Sequence, residues 1–469
     1  MNTTTFDRAR TTVAHPFLVM MGLYLGTFIG MFSETSLNIA LPILSQSFAV
    51  DTSLMQWMVI GYMLVIGLVL PFVSFLMKWF PVRSLTLFAL GAFFIGCIVS
   101  GVANNFAILL FGRMLQGIGT GLLLPMMFAM VLEIFPPHKI GAMMGLTALI
   151  IMFAPAIGPT LSGIILGAFS WRWLFFIFAI ILLIGFLFAW KCMISPYELT
   201  KTPFDFLSFL TSCVGFGGLV VGVGLSSVYG WLSLPVISLL IIGIICILFY
   251  IYRQCKIDTP VLNLRAFQIS QFRIGSILVM IDFGITLSTM YLLPQYIQNG
   301  MLLPVAMTGM IMLPGGIVNA LVSLLAGNLY DKIGAKLPAR LGFLLSIIGS
   351  LLLMLTTKES PIFYIILCHI LLMIGVPLAM SPSQSAALNS LPPALSSDGS
   401  TILNTMQQVL GAVCTAIATS LLGIGQQAYL ADGSDLASAF TQGAHYGFAF
   451  AFILAIIGFI LSFQIKKKA

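Results

Sequence analysis

Fourteen apolar runs follow one another along this chain, each about 20 residues or longer, with short polar breaks between them. As a helix rising 1.5 Å per residue, a run of that length crosses a hydrocarbon core of about 30 Å. Lipid offers the backbone no hydrogen bonds, so only helices or closed barrels can span it. Barrel strands alternate apolar and polar residues over about ten positions, and these runs are continuous. The sequence therefore predicts an all-α integral membrane protein. Its expected spans are 15–44, 53–77, 83–104, 106–135, 139–168, 173–193, 204–227, 234–253, 270–298, 303–329, 338–357, 360–381, 399–425 and 443–465. Composition agrees: 60% of the 469 residues are hydrophobic and 7% are charged, where a soluble domain averages about 25% charged. The first run is too long for the core of a signal peptide and has no small-residue cleavage site, so it is expected to be retained.

The net charge of +7 could suggest a nucleic-acid partner, but its distribution argues otherwise. With the N-terminus inside, Arg8, Arg10, Lys78, Arg83, Lys139, Lys191, Lys201, Arg253, Lys256, Arg265, Arg273, Lys332, Lys336, Arg340, Lys466, Lys467 and Lys468 all fall on one side. Arg172 and Lys358 fall opposite, and Arg113 lies within a span. This is the positive-inside asymmetry of a multi-pass protein of the cell membrane with both termini cytoplasmic. The basic residues orient the chain among membrane lipids, and no nucleic acid is implied.

The seven cysteines contain no C-x-x-C pair, and the four histidines have no metal-ligand spacing. The chain carries no Walker loop, dinucleotide fingerprint or nucleophile elbow. The expectation is a protein that is not an enzyme and has no metal or cofactor. Any pumping would draw on an ion gradient.

Charges inside the runs are the candidate functional groups, because intramembrane ionisable residues commonly mark ion or substrate paths. Glu34 lies about eight residues before Pro42, roughly 12 Å below the outer surface, and Arg113 lies roughly 10 Å down the fourth span, so the two could share a depth. Asp282 lies roughly 16 Å from the inner end of the ninth span, close to the midplane. Glu34 is either a carboxylate that exchanges a proton as its surroundings alternate between wet and dry, or a packing partner of Arg113 or a snorkelling acid. Asp282 either binds charge or is hydrogen-bonded to a neighbouring helix. Thr286 and Thr289, one and two turns on, extend a polar stripe from it. Arg113 either takes part in proton coupling or is a fixed counter-charge. Asn38 follows Glu34 by one turn, and Asn404, Gln407 and Gln408 form a patch on the thirteenth span. Such residues serve as cavity lining or as interhelical glue.

An internal repeat joins the two ends of the chain. "GNLYDKIGAK" at 327–336 follows the tenth span, and "SFLMKWFPVR" at 74–83 follows the second. The offset of eight spans fits two six-helix halves separated by two extra helices. The expected division is 1–200, 201–260 and 261–469.

The pattern at 327–336 resembles the loop motif of the major facilitator superfamily. "RMLQGIGTG" (113–121) and "APAIGPTLSG" (154–163) resemble that superfamily's fourth-span and antiporter motifs. "SETSLNIALP" (33–42), "QWMVIGYML" (56–64) and "WRWLFFI" (171–177) resemble its fourteen-span drug:proton antiporters. The resemblance implies a 6+2+6 bundle and alternating access. It also implies proton-coupled export of lipophilic small molecules, here by a monomer. It further implies that Gly158, Pro159 and Gly163 form a flexible seam. Gly327, Asp331, Gly334 and Lys336 would form a loop latch, as would Arg83 with Glu133 as partner. In the first copy of the loop, Lys78 replaces the motif's Asp and Pro81 its Gly.

Proton coupling is thus expected of Glu34, Asp282 and Arg113. Substrate contact is expected of Glu34, Asn38, Asp282, Thr286, Asn404 and Gln407. Two buried carboxylates among few buried cations favour a cationic substrate. Export of one specific metabolite, antibiotic or lipid, and uncoupled facilitation, remain open on the same scaffold.

Overall fold

The structure, a computed structural model, describes residues 15–196, 199, 205–257, 260, 262–433 and 435–465. Of the residues used above, Arg8, Arg10, Lys201, Lys466, Lys467 and Lys468 lie outside the described residues, as do the side chains of Lys139 and Asp331. The spans are the helices α1 Pro16–Phe48, α2 Ser53–Trp79, α3 Val82–Gly101, α4 Phe106–Ile134, α5 Pro137–Ala168, α6 Arg172–Cys192, α7 Phe206–Tyr229, α8 Leu234–Lys256, α9 Ser270–Gly300, α10 Val305–Ile333, α11 Lys336–Met354, α12 Ile362–Asn389, α13 Pro393–Ala431 and α14 Leu436–Ser462.

Proline explains the breaks within spans. Lacking an N–H, it leaves the carbonyl four residues earlier without its helical partner. Pro71 converts a turn of α2 to 3-10 geometry over Leu70–Phe72. In α5 the segments 149–155 and 157–168 meet at 41° beside Pro155 and Pro159. The last turn of α9, after Pro294, is a π-helix over Tyr296–Gly300. Several helices outrun the expected spans. α13 in particular begins at Pro393, where the pyrrolidine suits the first helical turn.

The repeat is visible in the packing. Helix α1 touches α4, α5 and α6, and α9 touches α12, α13 and α14 in the same way. Pairs α2–α4, α3–α4 and α3–α6 recur as α10–α12, α11–α12 and α11–α14. Helix α1 meets α9 and α10 across the halves, and two further contacts, α5 with α10 and α13 with α2, join them as a related pair. An offset of eight exchanges one for the other, which is a pseudo-twofold relation.

The extra helices break that relation. α7 packs on α2 and α13, covering one of the two seams, and α8 lies outside it. Any Cβ at Gly224 would collide with the Trp57 ring of α2. Trp231 donates from Nε1 to Ser420 Oγ of α13 at 2.9 Å. α8 turns Ile241, Ile244, Ile245, Leu248 and Phe249 outward, a face suited to lipid.

The hairpin is clasped at its other end. Asp205 caps α7 by accepting from Ser208 N–H, and it holds Arg253 of α8 through Nε and Nη2 at 3.2 and 2.8 Å. Gln254 bonds Ser208 and accepts from the Leu262 amide, tying the hairpin to the second half. Partial burial pushes the Asp205 carboxyl up. The bonds from Arg253 and Ser208 outweigh it and hold the group below the usual carboxylate range. We expect Asp205→Asn, which keeps the cap but not the charge, to destabilise the protein by about 1–2 kcal/mol at neutral pH. Thermal unfolding in detergent measures this. Because the folded pKa is depressed, the difference is fully present above the unfolded value of about 3.9. It closes as pH falls below that through the folded value.

Candidate functional site: ionisable groups at the centre of the bundle

Ser33, Glu34 and Thr35 are consecutive residues of α1, and a helix sends them in three directions about 100° apart. Ser33 meets α4, where its hydroxyl accepts from Arg113 Nη1 at 2.6 Å. Glu34 points toward α13, where Gln408 lies within interacting reach. Thr35 meets α5, donating to the Pro155 carbonyl at 3.1 Å. Together they link three helices to one turn of a fourth.

Arg113 is completely buried. Its guanidinium donates to Ser33 Oγ, Gln116 Oε1, the Met58 carbonyl and the Ser33 carbonyl. Its Cζ lies over the Tyr62 ring, 4.0 Å from the ring centre. Tyr62 is itself fixed by bonds to the Gly30 carbonyl and Thr120. Four hydrogen bonds and an aromatic face thus hold the cation, and every acceptor is neutral.

Glu34 is 2% exposed, and neither carboxylate oxygen makes a hydrogen bond. It shares a depth with Arg113, as helix rise predicts, but the two form no ion pair. The ion pairs among the described residues are Asp205–Arg253 and Asp435–Lys358. The alternatives of a packing pair and a snorkelling acid are therefore both corrected. Arg113 is engaged by Ser33, Gln116 and the Met58 carbonyl on one side of the turn while Glu34 points to the other, into protein.

Asp282 is fully buried in α9, and both its oxygens also lack a hydrogen bond. Two turns before it Gly275 packs against Ser383 and Ala387 of α12, and one turn before it Val279 lies in the cluster containing Met380. Asp282 itself makes no hydrogen bond to any neighbouring helix, which corrects that alternative. Thr286 is half-buried and gives its hydroxyl to the backbone carbonyl of Asp282 at 2.9 Å. The side-chain stripe expected of it is thus spent on the helix's own backbone. Thr289 is buried with an unpartnered hydroxyl.

Asn38 and Gln407 are buried with Asn38 Oδ1 and Gln407 Nε2 unpartnered, and Asn404 is half-buried. Sequence analysis did not single out Tyr291, Gln295 or His369. All three are buried with unsatisfied polar atoms. Tyr291 and Gln295 follow Thr289 on α9 near its contact with α1, where Gln298 donates to the Ile39 carbonyl at 3.1 Å. Their recurrence one turn apart was the available signal. His369 faces Gly315 of α10, where any Cβ would strike the ring.

The conformational residues divide. Gly158 admits Thr35, and a Cβ at Gly163 would lie 2.8 Å from the Cα of Gly309 across the seam between halves. Pro159 sits at the bend. Gly334 closes α10 with φ +74°, a conformation that favours glycine. Its counterpart Pro81 has φ −57° and starts α3 in extended geometry, so the two loops turn differently. Gly327 has open space around it, and Lys336 opens α11. Arg83 and Glu133 are not paired. Arg83 donates to the Trp190 carbonyl at 2.6 Å at the end of α6, which offers acceptors that need no acid. Lys78 lies close enough to Asp398, early in α13, for their charges to interact. The replaced motif residue thus has an acid facing it on the other half.

Residues 23–415 match the family described as Major Facilitator Superfamily. The chain belongs to the major facilitator superfamily. It is a multi-pass membrane transporter and not an enzyme. Its superfamily relatives include the "Lincomycin resistance protein LmrB" of Bacillus subtilis, 41% identical over 96% of this chain and 95% of that protein. The protein of the same name from Listeria monocytogenes is 39% identical over 96% and 97%. The "Multidrug export protein EmrB" of Haemophilus influenzae is 24% identical over 86% and 79%. Among solved structures, a peptide transporter POT bound to sulfate aligns with TM-score 0.68 at 14% identity, covering 96% of this chain and 95% of that one. The xylose transporter XylE from E. coli aligns with TM-score 0.64 at 15% identity, covering 97% and 99%. These structural likenesses carry the superfamily fold.

The Arg113 site makes a test of geometry over charge. Lysine keeps the charge but lacks the planar fork. Arg113→Lys is expected to destabilise the protein by roughly 2 kcal/mol or more, read as a fall in detergent unfolding temperature. A variant as stable as wild type would mean the four-bond arrangement contributes little.

Proposed function

We propose that this transporter exports lipophilic, cationic drugs across the cytoplasmic membrane, driven by proton entry through alternating access. In this reading the basic face and both termini are cytoplasmic, and the protein works as a monomer. Residues 1–200 and 261–469 rock against each other, with 201–260 as an accessory hairpin. Likeness to lincomycin-resistance and multidrug-export proteins supports drugs as cargo.

Glu34 carries the proposal. A carboxylate sealed in protein without an ion pair, with only the Gln408 amide and the engaged Arg113 cation nearby, is best kept by holding a proton or by receiving a cation. An antiporter exchanges those two occupants. Opening on one side lets water reach Glu34 and the proton leave. Closing requires that the charge be covered again. Arg113 holds the turn of α1 in register while this happens and keeps its own charge throughout. Glu34→Gln should fold and abolish uphill export, because the amide mimics the protonated acid permanently. Drug uptake into inside-out vesicles, with and without an imposed pH gradient, measures this. Wild-type-like uphill transport by the variant would refute the role. Uphill transport by wild type after the proton gradient is collapsed would refute coupling itself.

Asp282 is assigned the substrate's charge. A buried anion attracts a cation strongly in low dielectric, and a neutral compound gains nothing from it. Asp282→Asn should weaken binding of a cationic compound about tenfold, roughly 1.4 kcal/mol, and that of a neutral analogue much less. Direct binding of a matched pair at fixed pH measures the difference. Equal losses would move Asp282 to proton coupling.

A further inference from the structure

We infer that Thr35 is a positioning residue that transmits the state of Glu34 to the seam between the two halves, through its hydrogen bond to the Pro155 carbonyl of α5. The inference rests on the proton-coupled reading and adds a route by which the proton site and the moving seam communicate.

The bond is a replacement. Pro159 has no N–H, so the Pro155 carbonyl loses its helical partner. Thr35 Oγ1 supplies the missing donor at 3.1 Å. The approach is close enough that any Cβ at Gly158 would lie 2.5 Å from that hydroxyl and 3.2 Å from the Phe32 carbonyl. A similar device operates in the second half. Pro377 orphans the Met373 carbonyl, and Asn319 of α10 donates to it at 3.5 Å. In that half the donor has no acid beside it. In the first half the donor is the residue after Glu34.

Beyond the bend, α5 is the wall of the seam. Thr160 donates to the Gly309 carbonyl of α10 at 3.2 Å, and Gly163 and Gly167 pack on Gly309 and Ala306. Among the described residues neither extra helix packs extensively on α5 or α10, whereas α7 covers the opposite seam. The uncovered seam is joined to Glu34 by a short path along the backbone and one hydrogen bond: Glu34, Thr35, the bend at 155–159, then Thr160 and Gly309. Glu34 and Thr35 share one rigid turn, so a shift of α1 that hydrates or covers the carboxylate moves the Thr35 donor with it. The Pro155 carbonyl then either follows or loses its partner.

Thr35→Val keeps shape and removes the donor, while Thr35→Ser keeps the donor. Pro159→Ala is a second route to the same break, because residue 159 regains an N–H for the Pro155 carbonyl and makes Thr35 redundant. In vesicles, Thr35→Val and Pro159→Ala should each bind drug as wild type does and exchange it down its gradient. Each should lose at least about fivefold in proton-driven accumulation, an effect the size of other couplings carried between sites. Thr35→Ser should restore accumulation, and the double variant Thr35→Val/Pro159→Ala should be no worse than either single. Hydrogen exchange supplies a readout independent of proton driving. Glu34→Gln should alter exchange in 157–168 and 305–315, and Thr35→Val should erase that response. Accumulation within twofold of wild type in either Thr35→Val or Pro159→Ala overturns the inference. So does a Thr35→Val defect that serine does not rescue, or one shared by drug binding. If Thr35→Val fails to fold, Pro159→Ala alone decides. Should wild type itself lack proton-driven uptake, the proposed function fails, while the exchange response still tests the link.

Discussion

Every backbone polar group within a bilayer needs a partner inside the protein, and this chain makes that harder by placing proline inside its helices. Pro42, Pro125, Pro155, Pro159, Pro294, Pro314, Pro377 and Pro382 all lie inside helices. Each removes a donor and costs about 3 kcal/mol where nothing compensates. Thr35 and Asn319 compensate for two of them from neighbouring helices. Repairs of this kind turn weak points of single helices into ties between helices. Lipid supplies no hydrophobic drive to bring helices together, so such ties, with close glycine contacts, define the packing.

The same economy governs charge. Arg113 is a permanent cation, and the fold surrounds it with two carbonyls, a hydroxyl, an amide and an aromatic face. Glu34 and Asp282 receive nothing comparable. The cation is built into the structure of the first half, and in the proposed function the two acids are left for groups that come and go. This division follows from chemistry, since guanidinium cannot shed its charge and a carboxylate can.

Pseudo-symmetry is broken where motion is proposed. One seam, α2 with α13, is covered by α7 and by the Trp231–Ser420 bond. The other, α5 with α10, is lined by glycine and, among the described residues, carries no comparable cover. The loop copies diverge in parallel. Gly334 keeps a left-handed turn, whereas Pro81 requires another path, and Lys78 finds Asp398 where the intact motif would put an acid of its own.

Span number, helical class and the eightfold repeat offset were legible in the sequence because they depend on run length and composition, which local physics sets residue by residue. So was the shared depth of Glu34 and Arg113, because helix rise is constant. Which neighbour each side chain faces was not legible. The difference between a Glu34–Arg113 ion pair and two separate groups is a rotation of about 100° on α1, and the packing of α4, α5 and α13 around one turn decides it. Arg83 likewise chose a carbonyl at the end of α6 over Glu133, an outcome fixed by where that helix ends. The Thr35–Pro155 bond joins residues 120 positions apart. Proline in the sequence announces an orphaned carbonyl, but only the tertiary structure determines which helix brings the donor.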